Sequence, residues 1–267
     1  MIESKNIERS IIMKNNNHKN LKPIVTSTLF FCTSIIIVFI FIFGIKYIGS
    51  LKECTKMPIH SVDVDNKRIS LSFDVAWGSK NIDDILEILD KYELKTTFFM
   101  VGSWIDDNEE LVKKIDKNGH EIGNHSDTHA NVLNLSKEDV ELEIENTAKK
   151  ISKVTSKEAT LYRPPFGEID DKTIEICEEL GYKPIKWSID SLDWKELGPV
   201  HITEKVIKES QPGSIILFHA NVENNKEYLD SIISNLLEDG YEIVPVSELI
   251  YQEDYTIDSL GIQKVSK

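Results

Sequence analysis

The chain is 267 residues long, 40% hydrophobic and 28% charged, with a formal net charge of −14. These proportions describe a folded chain of one or two domains and exclude a disordered one. So acidic a chain is also a poor partner for nucleic acid.

The charge is unevenly placed. Residues 1–22 form a basic tail, with Lys5, Arg9, Lys14, Lys19 and Lys22 against Glu3 and Glu8. That makes the tail +3 and leaves −17 on the rest of the chain. "IVTSTLFFCTSIIIVFIFIFGI", residues 24–45, contains no charged residue. At ~1.5 Å per residue it would span ~33 Å, the thickness of a hydrocarbon core. A transmembrane helix is therefore predicted over 23–46. A cleaved signal peptide would have an apolar run of about 7–15 residues and a small-residue cleavage site. The following "KYIGSLKEC" supplies no such site. The basic flank predicts a cytoplasmic N-terminus and an extracytoplasmic acidic body. The three cysteines, Cys32, Cys54 and Cys177, are scattered and suggest no disulfide framework.

Residues 47–66 read as a polar linker, and the catalytic domain is expected over 67–267. "RISLSFD" reads as a strand. "NIDDILEILDKY" follows with Ile82, Ile85, Leu86 and Leu89 at helical spacing. "LKTTFFMVG" is a strand, "NEELVKKIDKNG" a helix closed by Gly119, and "HEIGNHS" a short strand. "SKEDVELEIENTAKKISKVT" is a long helix with a capping-box start at Ser136 and Asp139; Val140, Ile144, Ala148 and Ile151 line one face. "ATLYRPP", "KPIKWSID", "SIILFHA" and "YEIVPV" read as further strands with helices between them. About seven strand–helix units imply a parallel sheet. No dinucleotide fingerprint follows the first strand, which favours a (β/α) barrel over an open sheet. In a barrel the site lies at the carboxyl ends of the strands, where Asp74, His125, Arg163, Asp190 and His219 collect.

"GNHSDTHANV" holds His125 and His129 at a spacing that suits two metal ligands. The spacing equally suits two solvated loop histidines. Ser126 follows the first His, so the metalloprotease pattern is absent. Asp74 is either a solvated strand end or a general base. Arg163, stiffened by two following prolines, is either a surface cation or the partner of a carboxylate. His219 is either a packed residue or a catalyst, and Asp193 and Trp194 end another strand nearby in the order of the fold. An Asp beside a His raises its pKa, and an exposed Trp can stack on a sugar.

In order and context these segments resemble the polysaccharide deacetylases of carbohydrate esterase family 4. "SFDVAWG" is similar to the first family motif, "HSDTH" to the second, "RPPFG" to the third, "DSLDW" to the fourth and "LFH" to the fifth. "SFDVAWG" and the single N-terminal anchor also resemble the sporulation-associated, PdaB-like type. The resemblance implies a distorted (β/α) barrel over about 68–250 and hydrolysis of N-acetyl groups on a cell-envelope glycan such as peptidoglycan. It implies that Asp74 is the base, oriented by Arg163, and that His219 is the acid, tuned by Asp193. His125 and His129 would hold zinc or another divalent ion. Leu217 and Trp194 would line the acetyl pocket, and the Phe166 backbone N–H would face the oxyanion.

One departure matters. Val75 stands where the family commonly has a second, metal-binding Asp. Valine cannot coordinate, so the open positions would be filled by water or by Asp74 swinging onto the metal; Asp127 and Glu168 are nearby in sequence. Two readings follow: a deacetylase, or a glycan-binding envelope protein that retains the groove without the chemistry.

Overall fold

The computed structural model describes residues 56–266. The basic tail, the apolar run over 23–46, Cys32 and Cys54 lie outside them. Among the described residues no helix is long and apolar enough to cross a membrane.

The first long strand explains much of the architecture. Strand β2 (Arg68–Val75) is buried along nearly its whole length. Ile69, Leu71, Phe73 and Val75 alternate with Ser70, Ser72 and Asp74, so the pleat sends the two sets to opposite faces. The apolar set joins the main core with Ile82, Ile85 and Leu89 of the helix Ile82–Lys91. Phe73 also stacks on Phe98 and Phe218, with ring centroids 5.0 and 5.7 Å away. Each such pair adds about 0.5–1.5 kcal/mol beyond area burial. A central parallel strand covered on both faces is expected to lack a simple apolar–polar boundary. Here its small polar residues leave room for the side chains of the site.

On one side of β2 lie β3 (Thr97–Met100), β4 (Glu121–Asn124), β5 (Leu161–Tyr162) and β6 (Lys183–Pro184). On the other lie β8 (Ile215–His219) and β7 (Ile189–Asp190). A short strand, β9 (Glu242–Ile243), pairs with the start of β2. All these pairings are parallel. The result is a distorted (β/α) barrel, with helices between successive strands except β6 and β7.

The distortion has a local cause. "KPIKWSID", which reads as one strand, is divided into β6 and β7 at opposite edges of the sheet. Pro184 has no N–H to donate, and proline is confined to sheet edges. The incoming chain runs between β6 and the start of β8. The Ile59 N–H donates to Pro184 O at 2.9 Å and the Lys186 N–H to Ile59 O at 2.7 Å; three residues on, the Val62 N–H donates to Gly213 O at 2.9 Å.

Part of the stretch expected as linker is thus built into the domain. Ile59 and Val62 are buried, and β1 (Ser61–Val62) joins β11 (Ile262–Val265) and β10 (Tyr255–Ile257) in a second, three-stranded sheet. These short strands lack the sustained apolar alternation that marks a strand in sequence. "YEIVPV" is also shorter than expected: β9 covers two residues, and the helix Val246–Leu249 follows Pro245.

Gly213 sits where the strap crosses. Its φ is +81°, and a Cβ there would lie 1.6 Å from Val62 O. Gly213→Ala should therefore lower stability by more than about 1 kcal/mol. Urea denaturation of the domain measures it; an unchanged midpoint would show that the strap yields freely.

Candidate active site

The strand ends bring the site together by register. Asp74 on β2 is paired with His219 on β8, and β3 and β4 place His125 one residue beyond the end of β4. Asp74 is 7% exposed and Arg163 is wholly buried. Arg163 donates from Nη1 to Asp74 Oδ1 at 2.8 Å, and from Nη2 to Ser72 Oγ at 2.8 Å and Lys186 O at 3.1 Å. Its guanidinium carbon lies 4.0 Å from the centre of the Phe99 ring. Burial works to raise the Asp74 carboxyl, but its neighbours, among them the permanently charged Arg163 guanidinium, outweigh it and hold the group below its ordinary value. It stays ionised at neutral pH.

His125 is buried, and its Nδ1 lies 2.7 Å from Arg163 O. A carbonyl only accepts, so Nδ1 carries the proton and Nε2 is left with a lone pair. Nε2 is 3.4 Å from Asp74 Oδ2. Burial lowers the His125 pKa, keeping the ring neutral. Four residues on, His129 has φ 59° and packs between Trp77 and Phe166, each with ring centroids 4.7 Å away. Burial and the His125 neighbour lower its pKa to about 4. Both imidazoles are therefore neutral at pH 7.

The other half of the site is His219 and Asp193. The 3₁₀ turn Asp193–Lys195 buries the Asp193 carboxylate completely. That carboxylate accepts from His219 Nδ1 at 2.8 Å, the His219 N–H at 2.7 Å, the Trp194 N–H at 2.8 Å and the Tyr228 hydroxyl at 3.3 Å. Burial pushes the His219 pKa down, but the hydrogen bond and charge of Asp193 outweigh it, and the net shift is upward.

A cleft of about 400 Å³ opens above these groups. Asp74, His125, His129, Phe166, Trp194, Leu217 and His219 line it; Arg163 and Asp193 lie behind, holding Asp74 and His219. Asp190 also lines the cleft, and its Oδ1 accepts from the Leu192 N–H. Phe166 follows two prolines with φ 60° and exposes 62% of its surface. Trp77 and Trp187 complete the wall, yet the sequence reading passed over both. Trp187 was hidden inside an assumed strand. Trp77 carried a usable signal, an aromatic three residues beyond the strand-end Asp74.

Asp127 and Glu168, near the two histidines and Arg163 in sequence, do not line the cleft. Lys150 Nζ donates to Asp127 Oδ1 at 2.6 Å, and the Glu168 carboxylate accepts from the Asn131 amide. Val75 is 1% exposed within the apolar core. Among the described residues, no group of three or more His, Cys, Asp or Glu is placed to hold a metal. The donors present are two neutral imidazoles, with Asp74 committed to Arg163. This set does not fit the three-ligand ion site that the resemblance implies.

Comparison with known proteins agrees with this architecture. Residues 61–185 match the polysaccharide deacetylase family model. The peptidoglycan-N-acetylglucosamine deacetylase of Bacillus cereus is 35% identical over 203 residues, covering 74% of this chain and 95% of that protein. The protein YlxY of Bacillus subtilis is 31% identical over 200 residues, covering 75% of this chain but 62% of its own length. Among solved structures, a mutant of BA3943, described as a CE4 family pseudoenzyme with restored enzymatic activity, superposes with a TM-score of 0.71 at 33% identity. That match covers 74% of this chain and 73% of the other; the wild-type protein is from Bacillus anthracis. The chain belongs to the polysaccharide deacetylase family. By class it falls among the hydrolases that cleave non-peptide C–N bonds, the polysaccharide N-deacetylases, whose members are generally metal-dependent.

The His219–Asp193 pair has a measurable signature. His219 should titrate above about 6.5, and Asp193→Asn should bring its pKa down. Because the folded value is raised, the stabilisation is fully present below about pH 6.5 and is lost as pH rises through the folded value. Imidazole NMR titration of both proteins tests the sign; an unshifted His219 in Asp193→Asn would contradict it.

Proposed function

We propose that the protein is a membrane-anchored, extracytoplasmic deacetylase that removes N-acetyl groups from peptidoglycan or a related envelope glycan. A role in sporulation follows the PdaB-like resemblance of the first motif. The observation that carries the reading is the juxtaposition of two supported groups on adjacent strand ends: Asp74 held by Arg163, and His219 held by Asp193.

In this reading Asp74, ionised, takes the proton of the attacking water as its oxygen bonds to the acetyl carbon. His219, protonated, gives its proton to the glycan nitrogen as the C–N bond breaks, leaving acetate and a free amine. The Phe166 backbone N–H serves the developing oxyanion. Leu217 and Trp194 enclose the acetyl methyl. Trp77, Phe166 and Trp194 each expose more than half their surface and offer apolar faces to sugar rings. The B. cereus relative is named for the same substrate class.

Acetate release from purified peptidoglycan tests the proposal. Asp74→Asn and His219→Ala should each reduce the rate by about 10²–10⁴, roughly 3–5 kcal/mol of barrier, while glycan binding persists. Trp194→Ala should instead weaken binding. No acetate from the unaltered protein, with binding dependent on Trp194, would replace this reading with that of a glycan-binding protein.

Zinc, which imidazole pairs favour, would find His125 and His129 as its donors here. Val75→Asp tests position 75: a carboxylate reaching the imidazoles from the end of β2 should tighten zinc binding by more than about tenfold. The same change places a carboxylate at a 1% exposed position, so the zinc-free variant should be less stable than the unaltered protein. Calorimetric zinc titration and thermal unfolding with and without zinc check both outcomes; equal affinities would mean that position 75 does not face the imidazoles.

A further inference from the structure

The loop between the two histidines is under conformational demand. Ser126 has φ 71° and His129 has φ 59°, both in the left-handed region, and neither is glycine. Such angles persist where surrounding groups over-determine the backbone. Those groups can be identified. The Gly102 N–H donates to Ser126 O at 2.9 Å and the Ser103 N–H to Asp127 O at 2.8 Å. The Ser126 N–H donates to Asn124 Oδ1 at 3.0 Å.

The remaining donors converge on one carboxylate, Glu143, from the helix Lys137–Thr155. Glu143 Oε2 accepts from the Asp127 N–H and the Thr128 N–H, each at 2.9 Å, and from the Ser126 hydroxyl. Its Oε1 accepts from the Thr128 hydroxyl at 2.8 Å. Lys150, two turns further along the same helix, holds Asp127. Neither imidazole touches Glu143. It acts on the three residues between them, and so on the angle at which the chain reaches His129.

We propose that Glu143 is a positioning residue that sets where His129 stands between Trp77 and Phe166, opposite His125. The Asp127 and Thr128 N–H groups are fixed donors, so they demand an acceptor at that point. A shorter or apolar side chain would leave them to water and release the loop from its left-handed turns. Hydrogen bonding is what matters, so an amide oxygen at the Oε2 position would serve. The amide nitrogen at Oε1 could then donate to the Thr128 hydroxyl, reversing that bond. The kinetic consequence rests on the deacetylase reading above; the structural one does not.

Ring NOEs of His129 in the whole protein test the proposal. His129–Trp77 and His129–Phe166 NOEs should be present in the unaltered protein, lost in Glu143→Ala and kept in Glu143→Gln, with amide shifts far from the loop unchanged. If the unaltered protein releases acetate, kcat should fall by up to ~10²-fold in Glu143→Ala and recover to within a few-fold in Glu143→Gln. Persistence of both NOEs in Glu143→Ala would overturn the proposal, whatever the activity. Should that variant fail to fold, Glu143→Asp, whose carboxylate is withdrawn by one methylene, should lose the NOEs; retaining them would overturn it equally. Absence of acetate from the unaltered protein would count against the deacetylase reading alone.

Discussion

A buried charge needs its partners, and Arg163 has arranged the site around that need. The guanidinium is removed from water, so Asp74, Ser72 and the Lys186 carbonyl must meet it. Removing one side of such a pair typically costs about 3–5 kcal/mol, because the other charge is stranded. The same residue works through its backbone. Its N–H donates to Asn124 O and its carbonyl fixes the His125 tautomer. One residue therefore couples the ionisation of Asp74, the orientation of His125 and the junction of β4 with β5. Ser72 makes this possible: a large side chain at 72 would occupy the space the guanidinium needs.

The two carboxylates of the site have opposite assignments, and their surroundings explain the difference. Asp74 meets a permanent cation and opens to the cleft, so it remains ionised and accessible. Asp193 is sealed behind His219, and its oxygens are satisfied by two backbone N–H groups, the His219 ring and Tyr228. It has no access to a ligand in the cleft; its influence passes through the imidazole. The pair of pKa directions, Asp74 down and His219 up, suits a base and an acid on neighbouring strands at neutral pH.

The barrel and the strand-end cluster were legible in the sequence because long apolar strands, helical periodicity and unusual polar residues carry local signals. Asp74, His125 and His219 each end or follow such a strand. The second sheet was not legible: β1, β10 and β11 are two to four residues long and gain their identity from pairing across the whole chain. The division of "KPIKWSID" was hidden for a related reason, since Pro184 marks an edge without saying where the next strand goes. Trp187 and Glu143 were missed because nothing adjacent in sequence announces them. Glu143 reads as one of several solvated acids on an amphipathic helix until its partners, 15 to 17 residues away, are placed beside it.

The strap at residues 59–62 has a mechanical meaning. Lys56, just before it, is held by Asp171 and Glu178, and the strap itself bonds to Pro184, Lys186, Gly213 and Gly261 rather than to the residues lining the cleft. A pull on the chain at residue 56 would be borne first at Asp171 and Glu178, which hold Lys56, and then along the strap at β6 and the start of β8. The strap and the cleft meet at Lys186, whose N–H binds the strap while its carbonyl receives Arg163. Tension strong enough to peel the strap would therefore reach the Arg163–Asp74 ion pair through a single peptide segment, a route by which load on the chain could disturb the cleft.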